Sequence, residues 1–342
     1  MILRSHGADA QQQDPSLNIQ FHGFTDSRSV TVLSPAVDLD KDFTDRTDLR
    51  LRFGLDAVSA ASDSCIRCHP QGANNQRKYI NGAVIRKYGD TALSLGGEFS
   101  QENFYQATTG LTSVSRTFNK ANTTVAGGYS FSWNRPNLHP SEFNESQIAQ
   151  NTFASLTQTL SRWTTAQIDY EFSGVTGYQS NPFLRANVDG LLIVGVVPEL
   201  RLRQSLTMRL RQALPGNTYL DADYRRYKDD WDLTANTYSL GFSHNFPQWL
   251  ISGTFRHHQQ TGTYFYAPSY TGEPTYFTAD FRLFPFTSNL YTARAVYVPA
   301  GQLFGMLPNG AGLTFQYEFY DATTGFQAAT FSTGFKIPLK RR

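Results

Sequence analysis

The sequence predicts an all-β fold: an antiparallel transmembrane β-barrel of about 16 strands (14–16), with both termini in the periplasm and long extracellular loops. Three observations lead to this prediction. Apolar and polar residues alternate in segments of about ten residues, these segments are even in number, and the connections at one end are far shorter than at the other. Together these features are typical of a barrel that closes on itself within a lipid bilayer.

The alternation is clearest where one parity is plainly polar. Between Leu49 and Asp56, leucines and a phenylalanine alternate with Arg50, Arg52 and other polar or small residues, and the segment 200–211 alternates in the same way. A soluble β-sandwich also alternates, so this pattern alone does not choose between a sandwich and a barrel. The strand number and the unequal connections favour the barrel.

Sixteen segments carry the strand pattern, bounded by Gly, Pro, Asn and Asp residues. The predicted strands are 17–25, 29–43, 48–60, 77–88, 91–104, 106–118, 123–134, 150–160, 164–172, 201–213, 217–228, 234–244, 248–258, 279–298, 311–321 and 326–338.

The connections between these strands differ at the two ends of the barrel. Tight turns at one end are expected at 44–47, 89–90, 119–122, 161–163, 214–216 and 245–247. Long connections at the other end are expected at 61–76, 135–149, 173–200 and 259–278. Outer-membrane barrels have short periplasmic turns and long extracellular loops, so the first end is predicted to be periplasmic. The segment 299–310 departs from this rule, because it is long and lies at the short end.

Aromatic residues near the predicted strand ends fit the girdles that such barrels place at the two membrane interfaces. They are Trp133, Trp163, Trp231, Trp249 and the run Tyr264-Phe265-Tyr266. The mean hydropathy of −0.41 agrees with a barrel, since only alternate residues of its strands would face lipid.

Composition excludes several other classes of protein. The 342 residues are 40% hydrophobic and 17% charged, with 26 Gly, two Cys and a net charge of +2, which excludes a disordered chain, a disulfide-rich mini-protein and a collagen-like fibre. No basic cluster suits nucleic acid, and no apolar run approaches the ~20 residues of a membrane helix. The start, Met1 to Arg4, lacks the apolar core of a secretory signal, so for an exported protein this sequence is expected to be the mature form.

One large domain is the expected organisation, because no linker separates two blocks of sequence. Residues 1–16 are predicted to be a periplasmic segment and 17–338 a single barrel with a distinctive loop at 61–76, and 339–342 form a basic tail.

The distinctive loop contains both cysteines of the chain, in the pentad Cys65-Ile66-Arg67-Cys68-His69. This is the C-x-x-C-H pattern of c-type haem attachment: the two thiols bind one porphyrin and the adjacent imidazole is the proximal iron ligand. The pattern predicts one covalent haem c on Cys65 and Cys68, with His69 on the iron. A Cys65–Cys68 disulfide remains an alternative, whereas zinc would need more ligands and a thioredoxin-like site would need a βαβ unit.

The distal iron ligand is predicted among the histidines. His22 and His258 lie on the polar parity of their strands, toward the extracellular end, although each could also be an ordinary solvated histidine of the lumen. His139 lies in a long outer loop and stays a candidate. His257 is expected to face lipid and His244 to lie at the periplasmic end, so both are disfavoured, and an open iron position is a further alternative.

An arginine ladder is predicted along one lumen-facing strand, and a second, shorter one on another. The longer ladder consists of Arg201, Arg203, Arg209 and Arg211, and the shorter one of Arg50 and Arg52. Because the neighbouring strand offers Asp221, Asp223 and Arg225, a cross-strand lattice of ion pairs is the favoured interpretation. The alternative is an anion-selective constriction, or a surface that guides haem propionates and a redox partner.

Short stretches through most of the chain carry a resemblance to a known family. They are residues 30–35 (VTVLSP), 56–62 (DAVSAAS), 89–91 (GDT), 118–119 with 122–124 (FN and NTT), 177–178 with 181–182 (GY and NP), and Tyr227 with Asp230-Trp231. In these stretches the chain resembles a family of uncharacterised Gram-negative outer-membrane β-barrels, known only as a domain of unknown function. The resemblance implies an outer-membrane location and association with redox systems, including flavin-transfer and thioredoxin-like proteins.

The pentad of Cys65 to His69 departs from that family, because it is inserted just after Ala60-Ala61-Ser62. The overall plan is also similar to fused cytochrome–porin iron oxidases, which join one C-x-x-C-H haem to a barrel. Those proteins carry the haem before the first strand, so iron oxidation is an analogy of plan only.

The leading functional hypothesis is a monohaem outer-membrane barrel that transfers electrons between the cell and an extracellular partner or substrate. No catalytic residues are assigned, and an electron-transfer protein is expected rather than an enzyme. The expected partners are outer-membrane lipid and periplasmic or extracellular redox proteins such as multihaem cytochromes. One alternative is a passive porin or uptake channel with a loop stapled by Cys65 and Cys68, and another is a membrane anchor for an extracellular cytochrome or filament.

Overall fold

Sixteen antiparallel strands form a closed barrel in the computed structural model, which describes residues 15–60, 74–136 and 145–340. The barrel strands are β1 (Ser16–Asp26), β2 (Val30–Thr44), β3 (Thr47–Ala60), β4 (Asn74–Tyr88), β5 (Thr91–Gln101), β6 (Tyr105–Phe118), β7 (Thr123–Pro136), β8 (Gln147–Ser161), β9 (Thr164–Gly177), β12 (Leu200–Leu214), β13 (Thr218–Asp229), β14 (Thr234–Asn245), β15 (Trp249–Gln260), β16 (Phe286–Tyr297), β17 (Gly312–Ala322) and β18 (Gln327–Pro338). Two short strands, β10 (Arg185–Val188) and β11 (Leu191–Val194), form a separate hairpin between β9 and β12.

Each barrel strand pairs with its neighbour in the chain, and the first pairs with the last. Ser16 of β1 lies opposite Pro338 of β18, which closes the sheet without leaving a free edge. Because the strand number is even, both termini lie at the same end of the barrel. The predicted fold class is therefore confirmed, and all sixteen predicted barrel strands are present.

The apolar parity of the strands faces outward and the polar parity faces inward. On β5, Leu95 is 70% exposed on the outside, whereas Ser100 on the inside is only 3% exposed. A soluble protein would bury its apolar residues and expose its polar ones, and this barrel does the reverse on other strands too. Phe53, Leu156 and Leu240 are also exposed on the outside. An outer surface of this kind is stable in contact with lipid, because every strand hydrogen bond is satisfied within the closed sheet.

One end of the barrel, which we call the turn end, holds both termini and most of the tight turns. Gly216 and Asn217 both adopt positive φ (75° and 58°) in the three-residue connection between Leu214 and Thr218, a left-handed conformation that Gly and Asn tolerate in tight turns. The segment between β16 and β17, residues 298–311, is the long connection at this end that the sequence indicates. The opposite end, called the loop end, carries the long connections between β3 and β4, β7 and β8, β9 and β12, and β15 and β16.

Three details of the strand assignment differ from the predicted ones. Strand β16 begins at Phe286 rather than at 279, because residues 281–283 form a 3₁₀ turn that Asp280 caps by accepting a hydrogen bond from the Arg282 N–H. Strand β4 begins at Asn74, so the connection predicted as 61–76 is shorter. The β10–β11 hairpin lies within a segment that the sequence predicts as a loop. In the described part of the chain, no helix is long and apolar enough to cross a membrane.

Candidate functional site

The candidate functional site is the lumen of the barrel, which is lined by the polar parity of all sixteen strands. Charged side chains there keep substantial exposure: those of Arg225 and Glu171 are 39% and 40% exposed. Side chains packed into a solid interior would be far less exposed. The lumen wall is therefore in contact with solvent along this part of the barrel.

Ion pairs join the arginine ladder to its neighbouring strands. On β12, Arg211 contacts Asp221 of β13 at 2.7 Å, and Arg209 contacts Asp169 of β9 at 2.5 Å and Asp223 of β13 at 3.5 Å. These contacts confirm the predicted cross-strand lattice. Because nearly every arginine of the ladder has a carboxylate partner, the ladder as a whole is close to neutral.

A second set of ion pairs lies across the lumen on β2 to β5. Arg50 and Arg52 of β3 pair with Asp40 and Asp38 of β2 at 3.6 and 3.3 Å. Nearer the loop end, Arg77 of β4 is shared by three carboxylates. They are Asp56 at 3.8 Å, Glu98 at 3.4 Å and Glu102 at 3.8 Å.

Two long connections at the loop end, residues 178–199 between β9 and β12 and residues 261–285 between β15 and β16, pack on each other and on the short turn between β13 and β14. One apolar cluster joins Val197, Trp231, Leu233, Phe265 and Leu283, and the other joins the β10–β11 hairpin to Tyr270 and Phe277. The Tyr270 hydroxyl accepts hydrogen bonds from the backbone N–H groups of Ala267 and Thr278 and donates to a loop carbonyl. These connections, which we call the loop body, therefore form one folded unit rather than separate loops.

The loop body reaches the turns beside the first strand. Arg28, between β1 and β2, lies over the ring of Phe281 at 5.0 Å and over that of Phe326 at 5.4 Å. Side-chain hydrogen bonds to Asp280 raise the pKa of Arg282 above its usual value, so the guanidinium in this loop stays charged.

Asp229, the last residue of β13, connects the loop body to the barrel. Its carboxylate accepts hydrogen bonds from the Arg201 side chain (2.9 Å from Nε), from the Tyr227 hydroxyl (2.8 Å), and from the backbone N–H groups of Trp231 and Leu233. The Asp229 side chain is fully buried. The sequence does not single out this residue, because nothing in a local pattern distinguishes it from the other lumen aspartates.

The prediction that the tryptophans lie on the outside of the barrel near strand ends, as in an interfacial girdle, is right for three of them and wrong for the fourth. Trp133, Trp163 and Trp249 are exposed near strand ends on the outside of the barrel. Trp231, in contrast, is 2% exposed, with its indole N–H donating to the Leu200 carbonyl and the Arg201 guanidinium 4.2 Å from its ring. Phe265 is buried in the same cluster, so neither residue belongs to an interfacial girdle.

The histidines lie on the faces that the alternation predicts. His22 and His258 are on the lumen face, and each ring has hydrogen-bonding contacts at both nitrogens: His22 with Ser332 (2.7 Å) and Gln20, and His258 with Thr237 (2.8 Å) and Gln260. The structure does not bring the two together, because they belong to β1 and β15, which are four strands apart. His257 contacts Asn289, and His244 contacts Thr218 at the turn end.

The proposed haem-attachment residues Cys65, Cys68 and His69 lie outside the described residues, and so does His139. Among residues 15–60, 74–136 and 145–340, no group of three or more His, Cys, Asp or Glu side chains is arranged to hold a metal ion.

Comparison with known proteins identifies a family for this chain. The family model described as "Protein of unknown function (DUF3570)" matches residues 67–293. No curated protein matches the sequence.

Solved structures with a similar fold are outer-membrane barrels of Pseudomonas. OpdK of Pseudomonas aeruginosa, solved with vanillate, is 9% identical with a TM-score of 0.50, and the match covers 95% of this chain and 98% of OpdK. OccK5 (OpdH) of the same organism is 10% identical with a TM-score of 0.52, covering 96% and 98%. A BenF-like porin of Pseudomonas fluorescens Pf-5 is 9% identical with a TM-score of 0.50, covering 95% and 98%. At this level of identity the likeness concerns the fold alone.

Proposed function

The chain belongs to the DUF3570 family of proteins of unknown function, and from its barrel we propose that it is a passive porin-like channel for small polar solutes in the bacterial outer membrane. The single observation that carries this proposal is the closed sixteen-strand barrel with an apolar outside and a charged, solvent-accessible inside. Barrels of this size are too wide for their own wall side chains to fill and leave an aqueous channel.

The outer-membrane location has two supports. The outward apolar face requires lipid, and a closed barrel satisfies its backbone hydrogen bonds without water. The barrels of OpdK, OccK5 and the BenF-like porin share this fold with the chain. With the termini in the periplasm, the turn end would face the periplasm and the loop body would face the cell exterior.

The loop body fits a channel that restricts the size of its solutes. It packs against the turn between β13 and β14 and against the turns beside β1, and a folded unit held at these points is expected to narrow the loop end. We therefore expect the channel to exclude solutes that are much smaller than those the barrel would admit without the loop body.

Liposome swelling tests this proposal. Vesicles that contain the refolded protein are placed in iso-osmotic arabinose, glucose, N-acetylglucosamine or sucrose, with protein-free vesicles as the control. The expected result is swelling in arabinose that falls steeply as the sugar becomes larger. Swelling equal to that of protein-free vesicles in every sugar, with the protein shown to be folded, would contradict the channel.

A second candidate function rests on the motif of Cys65, Cys68 and His69. A complete C-x-x-C-H sequence that contains both cysteines of the chain supports covalent haem c and electron transfer across the outer membrane. One haem cannot bridge a hydrocarbon core of ~30 Å, so this function requires a second redox carrier in the lumen or at either mouth. Periplasmic or extracellular redox proteins would be the partners.

His22 is the better placed of the two candidate distal ligands. The motif lies between β3 and β4, and His22 on β1 is two strands from β3, whereas His258 on β15 is six strands away. Both ring nitrogens of His22 have hydrogen-bonding contacts, and the weaker contact, with Gln20 at 3.2 Å, is the one that iron binding would replace.

A further inference from the structure

Three neighbouring hairpins each place an arginine over an aromatic ring on the outside of the turn end. Measured from the guanidinium carbon to the ring centroid, the pairs are Arg86 over Tyr88 at 5.7 Å, Arg116 over Phe118 at 5.1 Å and Arg162 over Trp163 at 5.0 Å. The three rings are 54%, 42% and 47% exposed, in the same order. We call this outer surface of the turn end, from β4 to β9, the arginine arc.

Basic residues outnumber acidic ones on the arginine arc. Within four residues of the β4–β5, β6–β7 and β8–β9 turns, the charged residues are Arg86, Lys87, Asp90, Arg116, Lys120 and Arg162. Lys87 faces the lumen, where it pairs with Asp48 of β3 at 2.6 Å. The other five are four basic residues and one acidic residue, and the neighbouring β2–β3 turn adds one of each sign, Asp45 and Arg46.

The three arginines of the arc have hydrogen-bond donors to spare. Their side chains are exposed, and within residues 15–60, 74–136 and 145–340 none of them has a carboxylate within 4.0 Å. Arg86 donates to the Thr47 hydroxyl at 3.3 Å. A guanidinium has five N–H donors at its edge, and stacking on a ring face leaves these donors accessible. The arc therefore offers donors at three places about 10 Å apart, because the pairs lie on every second strand.

The opposite side of the turn end, from β12 to β17, lacks this surface. Aromatic residues are present there too, with the rings of Trp249 and Tyr297 4.7 Å apart. Within four residues of the connections on this side, the charged residues are Arg211, Asp221 and Arg294, and all three have the lumen-facing parity of their strands. Aromatic residues therefore lie on both sides of the turn end, whereas outward-facing basic residues are absent from this one.

Aromatic side chains at a membrane interface lie at the level of the lipid headgroups. On β4 and β6 the arginine precedes the aromatic residue by two positions, on the side toward the bilayer centre, and its guanidinium extends over the ring. Lipid tails cannot accept hydrogen bonds from a guanidinium, whereas phosphate oxygens accept two at once. We propose that the arginine arc binds the phosphate groups of anionic phospholipids.

The charge of the arc determines which headgroup it prefers. Phosphatidylglycerol has one net negative charge, whereas phosphatidylcholine adds a cation that the basic residues of the arc repel. With the turn end toward the periplasm, the bound lipids belong to the inner leaflet of the outer membrane. The proposal requires only that the barrel spans a bilayer, and it does not depend on conduction through the lumen.

Native mass spectrometry of the purified protein in detergent tests this proposal. The protein is mixed with phosphatidylglycerol or phosphatidylcholine of the same acyl chains, and the retained lipids are counted. We expect three phosphatidylglycerol molecules to stay bound, one for each arginine, and phosphatidylcholine to be released at the same concentration. Arg86→Gln, Arg116→Gln and Arg162→Gln together should weaken phosphatidylglycerol binding about fivefold at each place, because one basic residue near an anionic membrane surface contributes about 1 kcal/mol.

The matched control replaces three basic residues that face the lumen in the same half of the barrel, each paired with an aspartate. The substitutions are Arg50→Gln, Lys87→Gln and Arg211→Gln. This variant loses the same formal charge and should bind phosphatidylglycerol as the unaltered protein does. Single glutamine variants of the three arc arginines should each lose one bound lipid, which keeps the test decisive if the triple variant does not fold.

Three results would overturn the proposal. They are equal retention of the two lipids by the unaltered protein, unchanged phosphatidylglycerol binding in the arc variants, and an equal loss of binding in the lumen variant. None of these results bears on the channel, which liposome swelling tests separately.

Discussion

Replacing Asp229 with asparagine is expected to lower the free energy of unfolding by about 3–5 kcal/mol, the usual cost of breaking a buried ion pair. The Asp229 side chain is fully buried and the Arg201 side chain is 13% exposed. Loss of the carboxylate charge leaves the Arg201 guanidinium without its partner in a site with little water. The same carboxylate also accepts from the backbone N–H groups of Trp231 and Leu233, whose side chains pack in the apolar cluster of the loop body.

Urea unfolding of the protein in lipid vesicles, followed by tryptophan fluorescence, measures this loss. Asp221→Asn is the matched control, because Asp221 also pairs with an arginine between β12 and β13, with side chains that are 64% and 30% exposed for Arg211 and Asp221. An exposed pair contributes only about 0–1 kcal/mol. Equal losses for the two variants would show that Asp229 does not hold the loop body to the barrel.

Replacing Cys65 and Cys68 together with alanine is expected to remove all covalent haem and to leave a folded barrel. Both thioether bonds of the predicted haem c depend on these thiols, and β3 and β4 on either side of the motif are held by their own ladder from Thr47 to Ser59. The measurement is an absorption spectrum of the protein, oxidised and then reduced, together with its intact mass, from a host that makes c-type cytochromes.

The unaltered protein in the same experiment should show a Soret band, a reduced α-band and a mass increment of one haem. A double variant that kept covalent haem would contradict the assignment to Cys65 and Cys68. An unaltered protein with no added mass and no visible absorption would support the stapled-loop alternative. His22→Ala adds a further comparison, because loss of a distal ligand changes the spectrum but not the mass.

Most of the barrel could be predicted from the sequence, because lipid outside and water inside impose a period of two on every strand. The lumen lattice follows for the same reason, since Arg209 and Arg211 share a parity with Asp221 and Asp223 of the next strand. The loop body could not be predicted in this way. Trp231 looks like a girdle residue by its place near a strand end, but it is buried by contacts with Val197 and Phe265, which are distant in sequence.

The ion-pair partner of each ladder arginine was also beyond the sequence. Which arginine remains without a carboxylate depends on the register between strands: Arg209 lies opposite Asp223, whereas Arg203 lies opposite Asp229, whose carboxylate is taken by Arg201. This register cannot be inferred from one strand alone.

Single-channel recording in a planar lipid bilayer tests the central claim, a porin-like channel, most directly. The folded protein is added to one side in salt solution and the current is recorded at constant voltage. The account predicts discrete current steps of one principal size that grow in proportion to the voltage. A folded protein that inserts into the bilayer without producing such steps would contradict it.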